Sequence, residues 1–281
     1  MKAVISASRR TDLVASFPHW LAACLKEKRA RVLGPRGRTV DVNLDPQFVH
    51  TLVLWSKDFA NLLRNEAHLR DLLAVYDQVY LHFTVTGLGG TRLEPGAPGP
   101  NEAVAQLAPL VALAGHPERV SLRFDPILSW REGRAVRSNL PFFGRLAGAA
   151  ADCGVHDVRM SFAQWYAKAR RRAAARGFDF VDPPEDEKRD RAAALALEAG
   201  KRGLALWACS QPVLSGVEGI KPSACIDGGL LERLHPSGEP ASRLKDRSQR
   251  PGCLCTESRD IGSYTQACPH GCVYCYANPS A

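Results

Sequence analysis

The chain has 281 residues, of which 45% are hydrophobic and 23% are charged. This balance is that of an ordinary globular protein with a sizeable core, and the length suits one large domain or two small ones. No run reaches the roughly eighteen apolar residues of a membrane span, and the N-terminal apolar run is too short for the core of a signal peptide. We therefore expect a cytoplasmic protein with no membrane partner.

The formal net charge is +8, which is compatible with an anionic partner but does not establish one. The densest basic run is KARRRAAARG, at 168–177. On an alanine-rich helix such a run is most often a solvated face, and we adopt that interpretation. Contact with nucleic acid is the alternative.

Short, apolar, β-branched runs alternate with helical patterns through most of the chain. The predicted strands are, in chain order, 3–8, 51–56, 79–85, 120–125, 158–162 and 204–210. The predicted helices between them are 18–28, 59–75, 101–115, 139–152, 164–176 and 185–202. The run RTVDVNLD, at 38–45, is an additional candidate strand after the first unit.

This alternation predicts an α/β fold. The strands are apolar almost without interruption, which is typical of a parallel sheet buried on both faces. Six successive strand–helix units favour a partial (β/α)6 barrel of the TIM type, with a doubly wound sheet as the alternative.

The pattern stops after residue 210, where the sequence becomes rich in Gly, Pro and Ser. We therefore predict two parts: a barrel domain at 1–210 and a cysteine-rich tail at 211–281 that packs on the barrel mouth. A loop-rich segment of this length buries little by itself, so bound metal is the expected constraint.

Nine cysteines are distributed unevenly along the chain. Cytosolic thiols stay reduced, so a cluster of them indicates metal binding or catalysis rather than disulfides. Cys24 and Cys153 lie in helical patterns and are expected to be buried small hydrophobes. The other seven fall between 209 and 275.

Three of these seven, Cys268, Cys272 and Cys275, have the spacing C-x3-C-x2-C. Zinc sites usually combine four ligands built from two pairs. Three cysteines on one tight loop instead leave one iron of a [4Fe–4S] cluster free to bind a small chelating ligand. The alternative is a zinc knuckle completed by His270 or by an upstream cysteine.

The stretch YTQACPHGCVYCYAN, with Tyr274 before the third cysteine, resembles the cluster loop of radical S-adenosylmethionine (SAM) enzymes, in particular spore photoproduct lyase and the DNA-repair-photolyase-like branch. The segments ISASRRTD, LWSKDF, LEPGAPGP and FDPIL are similar to successive strand-and-loop segments of those enzymes. In that family the cysteine loop follows the first strand, so the resemblance implies a permuted barrel here. The complete pattern is also similar to a bacterial family known as a domain of unknown function.

The resemblance implies that Cys268, Cys272 and Cys275 ligate a [4Fe–4S] cluster whose open iron binds SAM. An electron from a donor such as a flavodoxin or ferredoxin then cleaves SAM to a 5′-deoxyadenosyl radical, which abstracts hydrogen from the substrate. The likeness to DNA-lesion lyases makes a nucleic acid or nucleotide one option for the substrate, but the scaffold alone does not identify it.

Four further cysteines, Cys209, Cys225, Cys253 and Cys255, match the number needed to ligate a second [4Fe–4S] cluster completely. Such an auxiliary cluster would also explain how an irregular tail is held together. Their spacing matches no tight motif, so a structural zinc site with the same ligands and four unconnected thiols remain as alternatives.

Polar residues follow several predicted strands, and at strand ends such residues usually face a ligand. Lys57, Arg123 and Arg10 are candidate partners of the SAM carboxylate, because a cation forms charge-assisted hydrogen bonds with it. Glu94 and Asp125 are candidate partners of the ribose hydroxyls. The aromatic rings of the loop complete the set: Tyr274 is expected to pack against the cluster or adenine, and Tyr276 is a candidate hydrogen relay.

Two other functions fit the same residues. The first is a non-enzymatic barrel with a structural zinc or iron–sulfur site that binds nucleic acid through its basic surface. The second is an electron-transfer protein whose cluster never meets SAM. Metal content and SAM cleavage separate these functions from radical SAM chemistry.

Overall fold

The computed structural model describes residues 1–33, 37–263 and 265–277. Tyr264 and Asn278, the first and last residues of the YTQACPHGCVYCYAN stretch, lie outside the described residues. The strands are β1 (Ala3–Ala7), β2 (Arg29–Leu33), β3 (Thr39–Asn43), β4 (Val49–Ser56), β5 (Val79–Thr84), β6 (Val120–Ile127), β7 (Ser129–Glu132), β8 (Ala135–Ser138), β9 (Asp157–Phe162), β10 (Asp179–Val181), β11 (Ala205–Cys209), β12 (Ile220–Ser223) and β13 (Arg259–Asp260). The helices are α1 (Leu13–Ser16), α2 (Pro18–Lys26), α3 (Ala60–Leu63), α4 (Leu69–Leu73), α5 (Pro100–Ala105), α6 (Leu107–Ala114), α7 (Phe143–Asp152), α8 (Ala167–Ala175), α9 (Glu185–Gly200) and α10 (Gly228–Leu234).

Helix starts follow local chemistry. The Asp12 carboxylate accepts the amide of Ala15 and so caps α1, and Asp227 accepts two amides at the start of α10. These bonds satisfy backbone donors that lack a partner within the helix. Proline occupies the first position of α2, where its missing N–H costs nothing.

The largest sheet has eight strands in the order β12-β11-β9-β6-β5-β4-β1-β13. Every pairing in it is parallel. From β1 to β12 the spatial order follows the chain, without the reversal that defines a doubly wound sheet. Among the described residues no sheet closes, so the fold is α/β with an open parallel sheet, and the partial (β/α)6 barrel of the TIM type stays a prediction.

The two faces of the large sheet carry different residues, because successive side chains of a strand point to opposite faces. One face packs the main apolar core against the helices, with Ile5, Leu54 and Phe124 fully buried. The other face carries Val4, Val53 and Tyr80, which pack with residues of the tail, among them Leu231 of α10. The tail therefore covers the sheet face opposite the helices.

The tail also extends the sheet. β12 joins one edge beside β11, and β13 joins the opposite edge beside β1. The predicted division at residue 210 stays a prediction, but regular structure continues beyond that point. The pattern of 211–281 concealed these strands because they are only four and two residues long.

Other predicted elements differ in detail. The single helix predicted at 59–75 is divided into α3 and α4, with left-handed backbone at Asn65, Ala67 and His68 between them. The candidate strand at 38–45 forms, but β3 pairs antiparallel with β2 outside the large sheet. A small sheet of β10, β7 and β8 was not predicted.

Across the described ranges, each helix is too short or too polar to span a bilayer.

Candidate metal and cofactor site

The three cysteines of the C-x3-C-x2-C motif lie on a loop, residues 268–275, which we call the cysteine loop. It docks on the segment that follows β5. Val273 donates its backbone N–H to the carbonyl of Leu93 (3.0 Å), and Gly96 donates to the carbonyl of His270 (3.0 Å). A side chain at Gly96 would place its Cβ 2.3 Å from the carbonyl oxygen of Pro269, so the close approach requires glycine.

His270 connects the cysteine loop to the end of β1. Its Nε2 lies 2.8 Å from an Asp12 carboxylate oxygen, and its Nδ1 lies 2.9 Å from the carbonyl oxygen of Gly96. Asp12 also accepts the Ser56 hydroxyl and the Lys57 backbone N–H at the end of β4. Because both nitrogens of His270 have partners, the imidazole acts as a brace in this structure rather than as an available zinc ligand.

Two arginines of the basic run hold the other side of the cysteine loop. Arg172 donates to the carbonyl oxygens of Val273 and Cys275, each at 3.0 Å, and Arg176 donates to that of Gly271 at 3.0 Å. The interpretation of 168–177 as a purely solvated face is therefore wrong for these two side chains. Arg170 and Arg171 of the same run are exposed.

The three thiols of the cysteine loop share one electrostatic environment. Cys272 interacts with both Cys268 and Cys275, and Cys268 also interacts with Cys275. Burial raises the pKa of Cys272 well above its usual value, with the Glu94 carboxylate adding to this effect. Burial, followed by Asp12, raises the pKa of Cys268 to about 11. A bound metal would take the place of the thiol protons.

A buried charge pair lies beside Cys272. The Nζ of Lys57 is 3.1 Å from Oε2 of Glu94, whose other oxygen accepts the hydroxyls of Tyr274 (2.5 Å) and Thr86 (2.5 Å). Burial lowers the pKa of Lys57, but Glu94 and Cys272 outweigh this, so the net shift is upward. Lys57 is therefore a cation next to the thiols, as the SAM-carboxylate prediction requires.

The remaining four cysteines, which we call the four-cysteine set, are brought together in one buried cluster: Cys209, Cys225, Cys253 and Cys255. Cys209 ends β11 and Cys225 follows β12, so both lie at the carboxyl edge of the sheet. Their sulfurs are 3.3 Å apart. Cys255 also interacts with both Cys225 and Cys253.

Positive charge surrounds the four-cysteine set. Arg123 donates to the sulfur of Cys225 at 2.9 Å, and its guanidinium lies 5.2 Å from the ring centre of Trp55. Arg9 lies 5.5 Å from the same ring and interacts electrostatically with Cys255 and Cys225. Hydrogen bonds from the Cys209 and Cys255 thiols, assisted by Arg123, hold the pKa of Cys225 well below its ordinary value. The surroundings thus favour thiolate, the form that binds metal, at Cys225. The pKa values of Cys209 and Cys255 are raised, because their thiols donate to Cys225.

The distances between the cysteine sulfurs can be compared with those in a zinc site. A single metal ion needs ligand atoms that lie close together. Among the described residues, one group of three side chains has all its ligand atoms within 4.8 Å of one another, and none of the three is a cysteine. A tetrahedral zinc site with Zn–S bonds of about 2.3 Å places its sulfurs about 3.8 Å apart. In the described ranges, no three sulfurs of either set lie within 4.8 Å of one another, but Cys209 and Cys225 are only 3.3 Å apart. The donor chemistry suits iron–sulfur clusters, and zinc stays the alternative for the four-cysteine set.

A family model described as "Domain of unknown function (DUF1848)" matches residues 4–277. The chain belongs to the DUF1848 family. The expected similarity to a domain-of-unknown-function family is thus confirmed. No curated protein matches this DUF1848 protein significantly.

Solved structures give only a distant likeness. The carboxyl transferase domain of Rhizobium etli pyruvate carboxylase, in a structure with 3-bromopyruvate, is 12% identical and is matched over 84% of this chain and 43% of that chain, with a TM-score of 0.27. A structure of the same domain with 3-hydroxypyruvate is 13% identical and is matched over 85% and 49%, with a TM-score of 0.23. This DUF1848 protein thus spans less than half of either chain.

Two of the predicted residues lie between the two cysteine sets of this DUF1848 protein. Asp125 accepts the hydroxyl of Ser161, pairs with Arg123, and interacts electrostatically with Lys57 on one side and Cys209 on the other. The Tyr276 hydroxyl donates to the carbonyl oxygen of Arg9 at 2.6 Å, while its ring is 53% exposed.

Arg10 lies apart from Lys57 and from Arg123, the other two candidate partners of the SAM carboxylate. It donates to the carbonyl oxygen of Gly262 at 2.8 Å and lies 3.9 Å from the Asp260 carboxylate. These contacts hold the segment that leads into the cysteine loop. The candidate role of Arg10 as a SAM-carboxylate partner stays a prediction, with a bracing role observed.

Three important residues were not assigned from sequence: Asp12, Arg9 and Arg172. Asp12 and Arg9 belong to SASRRTD, in which β1 ends, and their place at a strand end already put them among the polar residues expected near the site, without a specific role. Arg172 gave no such signal, because its partners are backbone carbonyls about a hundred residues away along the chain.

Proposed function

We propose that this DUF1848 protein is a radical SAM enzyme. The observation that carries the proposal is the cysteine loop, whose three thiols interact with one another beside the buried Lys57–Glu94 pair at the carboxyl edge of a parallel sheet. Three thiolates on one loop suit a [4Fe–4S] cluster with one open iron. Functional groups of parallel α/β folds gather at this edge.

Each residue of this site has a proposed role. Cys268, Cys272 and Cys275 hold the cluster, which when bound supplies the electron for reductive cleavage of SAM. Lys57 is placed to bind the SAM carboxylate through a charge-assisted hydrogen bond. Glu94 fixes Lys57 and accepts from Tyr274, which keeps the cysteine loop seated. Asp125 remains the candidate for a sugar hydroxyl, and Tyr276 the candidate for hydrogen transfer.

The four-cysteine set is proposed to bind an auxiliary [4Fe–4S] cluster. Four buried thiols supply a complete ligand set, and the adjacent Arg9 and Arg123 offset the negative charge of a tetrathiolate cluster. In this proposal the substrate binds near Asp125 and Tyr276, between the two cysteine sets.

The test is anaerobic reconstitution with iron and sulfide, followed by metal analysis and a SAM-cleavage assay. Wild-type protein is expected to bind about eight irons and, once reduced, to form 5′-deoxyadenosine. Cys272→Ala is expected to keep about four irons and to lose SAM cleavage, while Cys253→Ala loses the other four. Cys153→Ala, outside both sets, serves as the matched control and is expected to behave as wild type.

Two results would contradict the proposal. Fully reconstituted protein that neither binds nor cleaves SAM would leave an iron–sulfur protein of another kind, such as an electron carrier. Stoichiometric, colourless zinc in protein that resists reconstitution, together with salt-sensitive binding to nucleic acid, would support the non-enzymatic alternative.

A further inference from the structure

A further group of potential ligands lies where the strands of the large sheet begin, at the end of the sheet opposite to the one that carries the cysteines. Asp77 precedes β5, His235 directly follows α10, and Glu239 comes four residues later. One ligand atom from each residue lies within 4.8 Å of the other two. The group shares no residue with either cysteine set and does not depend on the proposed radical SAM chemistry.

His235 is the informative member. Its side chain is only 1% exposed, and its Nε2 has no hydrogen-bond partner. This atom faces the two carboxylates, 3.8 Å from Oδ2 of Asp77 and 4.0 Å from Oε2 of Glu239. A buried nitrogen without a hydrogen-bond partner destabilises the folded protein, and a bound cation would relieve that cost.

The surroundings orient this imidazole for metal binding. Its Nδ1 lies 3.0 Å from the Ser237 hydroxyl oxygen, with the weaker 3.4 Å amides of Ser237 and Glu239 nearby. The backbone N–H groups of Ser237 and Glu239 donate to Nδ1, so Nε2 carries the proton and faces the carboxylates in the metal-free protein. A metal bound at Nε2 would shift the proton to Nδ1, where the Ser237 hydroxyl oxygen can accept its hydrogen bond. The centre of the His50 ring lies 4.5 Å from that of His235, with the two rings tilted by 38°, and His50 Nε2 lies 2.8 Å from the Glu239 carbonyl oxygen.

A cation already occupies part of this space. The Nζ of Lys2 lies 2.9 Å from Oδ2 of Asp77 and 2.9 Å from Oε2 of Glu239. Lys2 bonds both carboxylates but leaves the Nε2 of His235 without a partner. Because the Lys2 side chain is 23% exposed, its ammonium group can turn into solvent.

We propose that Asp77, His235 and Glu239 form a divalent cation site in which the metal replaces the ammonium group of Lys2. Two carboxylate oxygens and one imidazole nitrogen suit Mn²⁺, Fe²⁺ or Zn²⁺. Three protein ligands leave coordination positions for water, so the site is open to a small anionic ligand.

The experiment is a titration of the full chain with Mn²⁺, in which binding is measured from the loss of the EPR signal of free Mn²⁺. Mn²⁺ is chosen because it prefers oxygen and imidazole ligands and binds thiols weakly. Wild-type protein is expected to bind one Mn²⁺ per chain. Lys2→Gln is expected to bind it about fivefold more tightly, since two exposed ion pairs no longer compete.

Loss of a ligand gives the opposite result. His235→Gln is expected to weaken binding at least tenfold, because even outer-shell partners of a metal site contribute about 10–100-fold. The exposed His116→Gln is the matched control and leaves the affinity unchanged. Asp77→Asn, at a half-exposed position, provides a second loss-of-ligand variant should His235→Gln fail to fold.

Two outcomes overturn the proposal. One is the absence of stoichiometric Mn²⁺ binding in both wild type and Lys2→Gln. The other is binding whose affinity is unchanged in the folded ligand variants, which would place the ion elsewhere.

Discussion

At the residue scale, the Lys57–Glu94 pair decides the character of the site. Both side chains are buried, at 14% and 2% exposure, and the pair is 3.1 Å apart. A buried pair contributes little net stability over an apolar replacement, but removal of one partner leaves an uncompensated charge. The pair is therefore better explained by ligand binding than by stability.

We predict that Lys57→Met destabilises the metal-free protein by about 3 kcal/mol, because Glu94 is left buried without its cation. The double variant Lys57→Met/Glu94→Gln is expected to recover most of that loss, since no buried charge remains. Chemical denaturation of the two single variants and the double variant measures both values. An additive double variant would show that the two side chains do not interact energetically.

At the element scale, α8 serves as a clamp for the cysteine loop. Arg172 bonds two carbonyl oxygens of that loop, and Arg176 bonds a third. Hydrogen bonds that involve a charged group contribute about 1.5–3 kcal/mol each. The helix thus fixes the backbone that carries Cys272 and Cys275 without contacting a metal.

We predict that Arg172→Ala weakens iron retention by the cysteine loop about tenfold, because the loop loses two charge-assisted hydrogen bonds. The iron bound by the four-cysteine set is expected to stay, since that set contacts other elements. The effect is measured as the rate at which a chelator removes iron, monitored by absorbance. Arg171→Ala, exposed on the same helix, is the control, and an equal loss in that variant would remove the clamp role.

At the scale of the whole molecule, the tail is part of the architecture as well as of the site. Asp260 of β13 accepts the hydroxyls of Ser6 and Ser8 and the backbone N–H of Arg9. Asp260 therefore fixes the end of β1 at the sheet edge. The cysteine loop comes after this strand and adds only a few contacts to the sheet.

We predict that the fragment 1–262 folds but loses the SAM-binding cluster, while 1–257 is markedly less stable. The first truncation leaves β13 paired and removes one partner of each carboxylate, His270 from Asp12 and Tyr274 from Glu94. The second truncation also removes Asp260, so polar groups at the end of β1 lose their partner. Each buried group left without a partner lowers the stability by about 1–3 kcal/mol. Thermal melts by circular dichroism compare the fragments. Failure of 1–262 to fold would make the cysteine loop a part of the core.

Much of the fold was predictable because buried parallel strands have a strong sequence pattern. All six predicted strands form and lie in chain order within one sheet. The open sheet was not predictable, since closure depends on what fills the face opposite the helices. Here Cys225, Ile226 and Leu231 of the tail pack against that face. Strands as short as β12 and β13 carry no periodicity that identifies them.

By itself, the sequence determined the α/β class, the position of the cysteine loop and the identity of seven candidate thiols, because these depend on local spacing and composition. Only the tertiary structure decided that four scattered cysteines meet in one cluster, that Arg172 clamps the loop, and that His235 faces two carboxylates. Those arrangements join residues that are far apart in the chain. Local spacing does not record such contacts, because they depend on how the sheet brings its edges and the tail together.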